Sequence, residues 1–383
     1  MKKQLLFCCY GLGIGGIEKC MINLLNLIDT ERYSIDVLPM NPEYDLLPQL
    51  HADVNVLDPF DYVMNTTDTV DALKKRKAGL PAYARYMRFR LVNKWGTKPW
   101  GLFSAPDKIY DIAIAYAHTG YVPYYVMDCV KAKKKLMWHH EGRYIKGTWY
   151  AADREYFPKW DAIIAVSEDD KQVLLDAFSD LSNVRVLYNI LNREEIWEKS
   201  GADPDFRFPD GILKLTTVGR LTDQKGPDLL LDIAEKLKED GMKFCWVWVG
   251  DGDKRDFFRE EITRRGLESY VIPLGNRTNP YPYMAMCDIY VQPSRYEAYC
   301  TTTMEAQVLK KPIIATDVCG MREQFDDGTD GILTKVDVQE IYDRILYLFR
   351  NPQEQNRLSM NLQKKMQQDN ITLNTYYQLF DNI

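Results

Sequence analysis

The sequence has little histidine, no long apolar run and no excess of positive charge. Four histidines occur in 383 residues, so any imidazole chemistry rests on few positions. No apolar stretch approaches the roughly 20 residues that a membrane-crossing helix requires. The formal net charge is −6, which argues against a general nucleic-acid binder. The chain has eight cysteines, but none at metal-type spacing. Cys8 and Cys9 are adjacent and the others are scattered, mostly inside apolar runs, where a thiol behaves as a small hydrophobe. They read as reduced, which points to the cytosol. The opening MKKQLLFCCYGLGIGG has only the outline of a secretion signal. Its apolar run is Leu5 to Tyr10, and a glycine loop stands where a cleavage site belongs. There is no repeat of solenoid period and no low-complexity tract.

What is present is a chain long enough for two ordinary cores, with 46% hydrophobic residues. Apolar runs of strand length alternate with helical periodicity, the pattern of parallel α/β sheets. Strands are expected at Gln4 to Tyr10, Tyr33 to Leu38, Asp111 to Ala117, up to His139-His140-Glu141, Asp161 to Val166 and Val184 to Tyr188. Residues 192–208 are charged, lack an apolar period and are followed by Pro209, so 192–211 reads as a linker between domains 1–191 and 212–367. The composition restarts at Leu213 to Val218. Further strands are expected at Phe244 to Val249, Val271 to Gly275, Asp288 to Pro293, Pro312 to Thr316 and Gly331 to Lys335. Residues 337–367 read as helices. A last amphipathic helix is expected in the tail, residues 368–383.

The stretch 287–320, CDIYVQPSRYEAYCTTTMEAQVLKKPIIATDVCG, organises the candidate chemistry. A strand ends in a polar loop with one carboxylate, Glu297, and the next helix carries another, Glu305. Between them the amides of Thr301, Thr302 and Thr303 are the unpaired donors of a first helical turn, beside the positive end of the helix dipole. Such a cradle suits phosphate, and the flanking carboxylates suit hydroxyls at both ends of one ligand. A nucleotide-sugar has that layout. Upstream, GRLTDQKG places Arg220 and Lys225 at a strand end before a helix started by Pro227, a site for a diphosphate or simply two exposed bases. Near the start, Gly11, Gly13, Gly15 and Gly16 link a strand to an amphipathic helix, a geometry for bringing backbone to phosphate or a plain tight turn. They do not fit G-x-G-x-x-G, and the second strand ends in Pro39-Met40 without an acid, so a nicotinamide or flavin site is disfavoured. At His139-His140 only one side chain can face a cleft, because adjacent strand residues point oppositely. Asp251 and Asp253 lie in a G-D-G turn and read as turn residues, not as metal ligands.

The ordered set Glu297–x7–Glu305, GRLTDQKG and KPIIATDVCG resembles the nucleotide-sugar half of retaining glycosyltransferases of the GT-B type. The likeness is to the large bacterial cell-surface polysaccharide family (glycosyltransferase family 4, group 1 type). It implies a GT-B fold, two Rossmann-like parallel-sheet domains facing across a cleft, with residues 368–383 crossing back to the first. It implies transfer of a hexosyl unit, with retention, from a nucleoside-diphosphate sugar (UDP by family habit) to a hydroxyl of a glycan or lipid-linked acceptor. His140, Glu297, Arg220 and Lys225 would then be catalytic. Gly15, Gly16, Arg220, Lys225, Asn276, Arg277, Glu297, Thr301, Thr302 and Glu305 would hold the donor, and no cofactor or metal is implied. The sequence departs from the family at Ala298 and Cys300, where glycine is frequent, and at Asn189-Ile190, which lacks a glycine turn.

Between Lys74 and Lys98 there are nine bases and no acid: Lys74, Lys75, Arg76, Lys77, Arg85, Arg88, Arg90, Lys94 and Lys98. Tyr83, Tyr86, Met87, Phe89, Leu91 and Trp95 interleave with them, and Trp100 follows. This is either an interfacial segment for anionic lipid, which would place a cytoplasmic protein at the inner face of the membrane, or a solvated helix with its apolar side in the core. Two other functions stay open. One is an epimerase or phosphorylase on the same fold. The other is a non-catalytic nucleotide-sugar sensor or partner subunit, which has no need of Glu297 and His140 together.

Overall fold

A computed structural model describes residues 2–59, 70–75, 77, 79–94, 98–118, 120–147, 150–368 and 373–383. The first half carries strands β1 (Lys3–Cys9), β2 (Tyr33–Pro39), β3 (Asn55–Val56), β4 (Tyr110–Ala115), β5 (Ala132–His139), β6 (Ala162–Ala165) and β7 (Val184–Val186). Its helices are α1 (Gly16–Leu27), α2 (Val70–Lys75), α3 (Leu80–Lys94), α4 (Val122–Asp128), α5 (Tyr150–Tyr156) and α6 (Glu168–Ala177). After α7 (Arg193–Ser200) come β8 (Leu213–Val218), α8 (Pro227–Glu239), β9 (Phe244–Val249), α9 (Arg255–Arg264) and β10 (Val271–Gly275). The chain continues through α10 (Tyr281–Met286), β11 (Ile289–Gln292), α11 (Thr301–Val308), β12 (Ile313–Thr316) and β13 (Ile332–Thr334). It closes with α12 (Val338–Arg350), α13 (Pro352–Gln368) and α14 (Leu373–Asn382).

Both sheets are parallel throughout. Their strand orders are β3-β2-β1-β4-β5-β6-β7 and β10-β9-β8-β11-β12-β13. The order reverses beside β1 in one and beside β8 in the other, and ligands of such sheets sit beyond the strand ends at those reversals. Alternation divides each strand between two layers of core. Leu5, Phe7 and Cys9 of β1 face one cluster, Leu6 and Cys8 the other. In the second half Trp246 and Trp248 face one layer, and Cys245, Val247 and Val249 the opposite one.

Four strands of the first half stop short of their apolar runs, at Cys9, Ala115, Ala165 and Val186. The surplus apolar residues pack beyond the sheet: Tyr116 is 1% exposed, and Tyr188 lies 5.3 Å from the ring of Tyr299 in the other half. The segment 192–211 is not irregular throughout. Asn192 caps the amide of Glu195 at 3.1 Å and starts α7, whose Ile196 is buried in the second half's core with Phe208. One apolar contact in eight residues is too sparse to register as a period.

α14 packs on the first sheet. Phe380 meets Phe7 edge-on at 6.5 Å, Tyr377 stacks on Tyr33 at 5.8 Å, and the Tyr376 hydroxyl donates to the Tyr188 carbonyl at 2.8 Å. α3 buries Phe89 against Phe103 but exposes Leu80, Met87 and Leu91 beside Arg88 and Arg90. Arg76 and Trp95 lie outside the described residues, as do the side chains of Lys75, Arg85 and Lys94. Among the described residues no helix is long and apolar enough to cross a membrane.

Phe380→Ala removes a fully buried ring at the joint between α14 and the first sheet. A stability loss of about 3–5 kcal/mol is expected, measured as a lower unfolding midpoint, with the near-ultraviolet tyrosine signal of that joint lost first.

Candidate functional site

Two pockets adjoin in the cleft. The first, about 830 Å³, is lined by Gly15, Gly16 and Lys19 of the first half and by Arg220, Gly250, Asp251, Asn276, Arg277, Thr301, Thr302 and Glu305 of the second. The other, about 1060 Å³, is lined by Gly16, His140, Glu141, Arg143, Arg220, Lys225, Tyr296, Glu297, Cys300, Thr301 and Thr302. Gly16, Gly219, Arg220, Thr301 and Thr302 line both. Glu305 lines only the first and Glu297 only the second.

The shared wall is built for an anion. α1 and α11 start there from opposite halves, each without a side-chain cap, at Gly15 and at Cys300. The starts of α6, α7 and α12 are capped by Ser167, Asn192 and Asp337. A Cβ built on Gly16 would lie 3.7 Å from the Thr301 hydroxyl, so the two helix starts nearly touch. Their free amides and dipole ends converge on one place. Arg220 is exposed beside them, and its guanidinium makes no hydrogen bond or ion pair with a described residue.

The flanking carboxylates are differently held. Glu297 is 5% exposed, and its Oε1 accepts from Lys225 Nζ at 2.5 Å and from the Ser294 hydroxyl at 2.6 Å. Behind it, Gln292 donates to Ser294 at 2.9 Å and accepts from Tyr290 at 2.7 Å, so β11 fixes the carboxylate through a buried relay. Burial opposes charge on Lys225, but Glu297 and Cys300 outweigh it and its pKa lies above the ordinary lysine value. Glu305 Oε1 accepts from the Tyr281 hydroxyl at 3.1 Å.

The first half brings a histidine to the other side. His140 lines the cleft next to Tyr116, and its Nε2 is enclosed without a hydrogen-bond partner among the described residues. Burial, partly offset by Asp170 and reinforced by His118 and His139, drives its pKa down to about 3. The ring is neutral at ordinary pH and suits a sugar hydroxyl. His139 points into the core, 2.8 Å from Asp170. Ser167 accepts from Asp170 N at 3.0 Å, and the Asp170 carboxylate in turn accepts from Gly142 N at 2.9 Å and Val166 N at 3.2 Å and so fixes the loop after β5. Gly142 has φ +64°, and a Cβ there would stand 1.6 Å from the Glu297 carbonyl. Only glycine permits that approach.

One expected donor residue has other commitments. Arg277 lines the first pocket, but its guanidinium bonds Asp205 at 2.7 Å and the Leu274 carbonyl at 2.6 Å. Asp251 pairs with Arg255 at 3.5 Å, and among the described residues no group of three or more His, Cys, Asp or Glu is placed to hold a metal ion. Sequence reading missed Lys19, Arg143 (stacked 3.4 Å over Tyr296) and Glu18. The Glu18 carboxylate folds back over Gly15, where a Cβ would lie 2.1 Å from it. A charged residue inside the first turn after a glycine loop was the available signal for Glu18 and Lys19.

Two parallel Rossmann-like sheets with an anion cradle between them define the GT-B architecture. Solved structures share it over the whole chain: HepE of Anabaena, in complex with UDP and glucose, matches with a TM-score of 0.73 at 19% identity, covering 99% of both chains. Residues 202–365 match the family described as Glycosyl transferases group 1. N-acetylgalactosamine-N,N'-diacetylbacillosaminyl-diphospho-undecaprenol 4-alpha-N-acetylgalactosaminyltransferase of Campylobacter jejuni is 32% identical over 183 residues, 47% of this chain and 48% of its own. Lipopolysaccharide core biosynthesis mannosyltransferase LpsB of Rhizobium meliloti is 26% identical over 185 residues, 45% of this chain and 50% of its own. The chain thus spans about half the length of these curated relatives.

The depressed pKa of His140 has a stability consequence. Below the ordinary histidine pKa of about 6.5 the unfolded chain takes a proton that the folded chain refuses, so stability falls as pH drops from there towards 3. His140→Gln removes that loss. Wild type and variant should diverge by about 1 kcal/mol per pH unit below 6.5, read from denaturant midpoints at pH 7, 6 and 5. Parallel midpoints would show that His140 protonates freely in the folded state.

Proposed function

We propose that this chain is a retaining glycosyltransferase. It moves a hexosyl unit from a nucleoside-diphosphate sugar, UDP being the first choice, to a hydroxyl of a cell-surface glycan or lipid-linked acceptor. The observation that carries the reading is the order of groups along the cleft: Glu305, then the shared wall of Gly16, Arg220, Thr301 and Thr302, then Glu297 with Lys225 and His140. That sequence matches ribose diol, diphosphate and sugar. The group 1 match over 202–365 and the activities named for the Campylobacter and Rhizobium relatives support the donor class and the acceptor class.

Each residue then has a task. Glu305 accepts from the ribose hydroxyls. The two helix starts, Arg220 and Lys225 stabilise charge on the departing diphosphate in a site of low dielectric. Glu297 and neutral His140 hold sugar hydroxyls from opposite sides. Glu297 Oε1 is taken by Lys225 and Ser294, which makes this carboxylate a poor nucleophile. A front-face transfer fits better: the bond from the anomeric carbon to phosphate oxygen breaks, the bond to the acceptor oxygen forms on the same face, and the acceptor's proton passes to the leaving phosphate. The positive charge comes from side chains and amides, so no metal is required.

The cytoplasmic face of a membrane suits a lipid-linked acceptor, and α3 offers Leu80, Met87 and Leu91 with Arg88 and Arg90 as the contact. Sedimentation with vesicles containing anionic phospholipid should carry the protein down, and Leu80→Ser with Arg88→Glu should leave it in the supernatant. Equal sedimentation with neutral vesicles would remove the electrostatic part of this reading.

Binding of donors raises the unfolding midpoint by mass action. A screen of UDP-, GDP-, ADP- and CDP-sugars should give a shift with one nucleotide, unchanged by EDTA. Glu305→Ala and Arg220→Ala should each weaken that nucleotide by roughly 10- to 100-fold, the worth of a charged hydrogen bond. The best donor, supplied with lipid-linked acceptors, should give a product whose anomeric configuration by NMR matches the donor's. Inverted product would overturn the retaining mechanism, and binding without turnover would favour a sensor.

A further inference from the structure

Glu305 has a difficulty that its own half does not solve. It is 3% exposed on α11, and burial pushes its carboxyl up by more than Lys19 and then Tyr281 bring it down. A neutral acid accepts hydroxyls poorly. Tyr281 donates to its Oε1 but brings no charge. The cation comes from across the cleft: Lys19 Nζ, on α1, lies 4.0 Å from the same oxygen and 4.6 Å from the centre of the Tyr281 ring. Lys19 is itself mostly buried, with 18% of its side chain exposed. Lys19 is the only cation within ion-pair distance of Glu305 among the described residues. The other ionisable groups that face this trio are Cys20 of α1 and Tyr290 of β11, beside Glu305, and Glu195 of α7, on the far side of Tyr281.

We propose that Lys19 is a positioning residue for the donor: it gives Glu305 its counter-ion and aims the carboxylate, and so makes recognition of the ribose diol depend on the two halves being docked. This rests on the donor reading of the first pocket. With both partners on Oε1, Glu305 Oε2 has no hydrogen-bond partner among the described residues and is the oxygen available to a hydroxyl. If the first half swings away, the carboxylate loses its counter-ion, and ribose affinity falls with it. Loading and closure become one event, although Lys19 need not touch the ligand.

The test is isothermal titration with UDP, GDP, ADP and CDP. The nucleotide that binds is then compared with its 2′-deoxy counterpart on wild type, Lys19→Met, Lys19→Arg, Glu305→Gln and the double variant Lys19→Met/Glu305→Gln. Lys19→Met should lose tenfold or more in affinity for the ribonucleotide and most of its preference over the deoxy form. Lys19→Arg should recover both, and the double variant should bind no more weakly than Glu305→Gln alone. An equal loss for ribo and deoxy forms, additive effects, or unchanged affinity in Lys19→Met would overturn the assignment while leaving the donor site in place. Wild type that binds none of the four nucleotides would overturn the donor reading, and the role of Lys19 with it.

Discussion

Two positive helix ends pointing at each other are the constraint on which the cleft depends. α1 and α11 each present about half a unit of positive charge, and neither start carries a side-chain cap. Two of the carboxylates beside this charge have their own partners, Lys225 on Glu297 and Lys19 on Glu305. The third, Glu18, folds over the start of α1 and faces the field of Arg220, whose guanidinium makes no hydrogen bond or ion pair among the described residues. Two acidic groups are thus neutralised locally, and an anion that comes from outside meets Arg220 and the α11 start with Glu18 as its one acidic neighbour.

Like ends repel, so something must hold the halves together. The contacts that do so are directional and lie around the cradle. Glu323 of the second half accepts from the first two amides of α6, Glu168 N at 2.8 Å and Asp169 N at 3.0 Å, and from the Tyr188 hydroxyl at 2.9 Å. Asp169 in return accepts from Gly320 N at 2.9 Å, and Ser167 donates to the Ala298 carbonyl at 2.9 Å. A helix start that is not meant for ligand is thus satisfied by a carboxylate from the opposite half. The Gly142 approach to Glu297 completes this rim, and it works because the loop after β5 is pinned by Asp170.

The strands were legible because parallel strands buried on both faces read as unbroken apolar runs, and the switch-point loops followed from them. The E-x7-E pair, Arg220 and Lys225 could be chosen from sequence because they stand at the end of such a run or in the helix that follows it; between His139 and His140, which share one strand end, only the family resemblance chose. The pairing of the charged groups could not be read in this way. That Lys225 answers Glu297 depends on how β8 and β11 lie side by side, and that Lys19 reaches Glu305 depends on how two domains dock. Neither leaves a periodic trace. α7 escaped for a local reason, its single buried Ile196, and Asp170 because a carboxylate three residues after a capping serine fits a local motif as well as the distant one it joins.

α14 has a consequence for biosynthesis. Residues 373–382 fill the layer of the first half's core that contains Phe7 and Tyr33. The first sheet emerges from the ribosome roughly 200 residues before this helix does. α1 covers part of that layer early, through Met21, Leu24 and Leu25, but the patch around Phe7 and Tyr33 that Phe380 and Tyr377 fill waits until almost the whole chain is made. Completion of the N-terminal core is thus a late step, and a chain that stops short of α14 leaves that patch open to water.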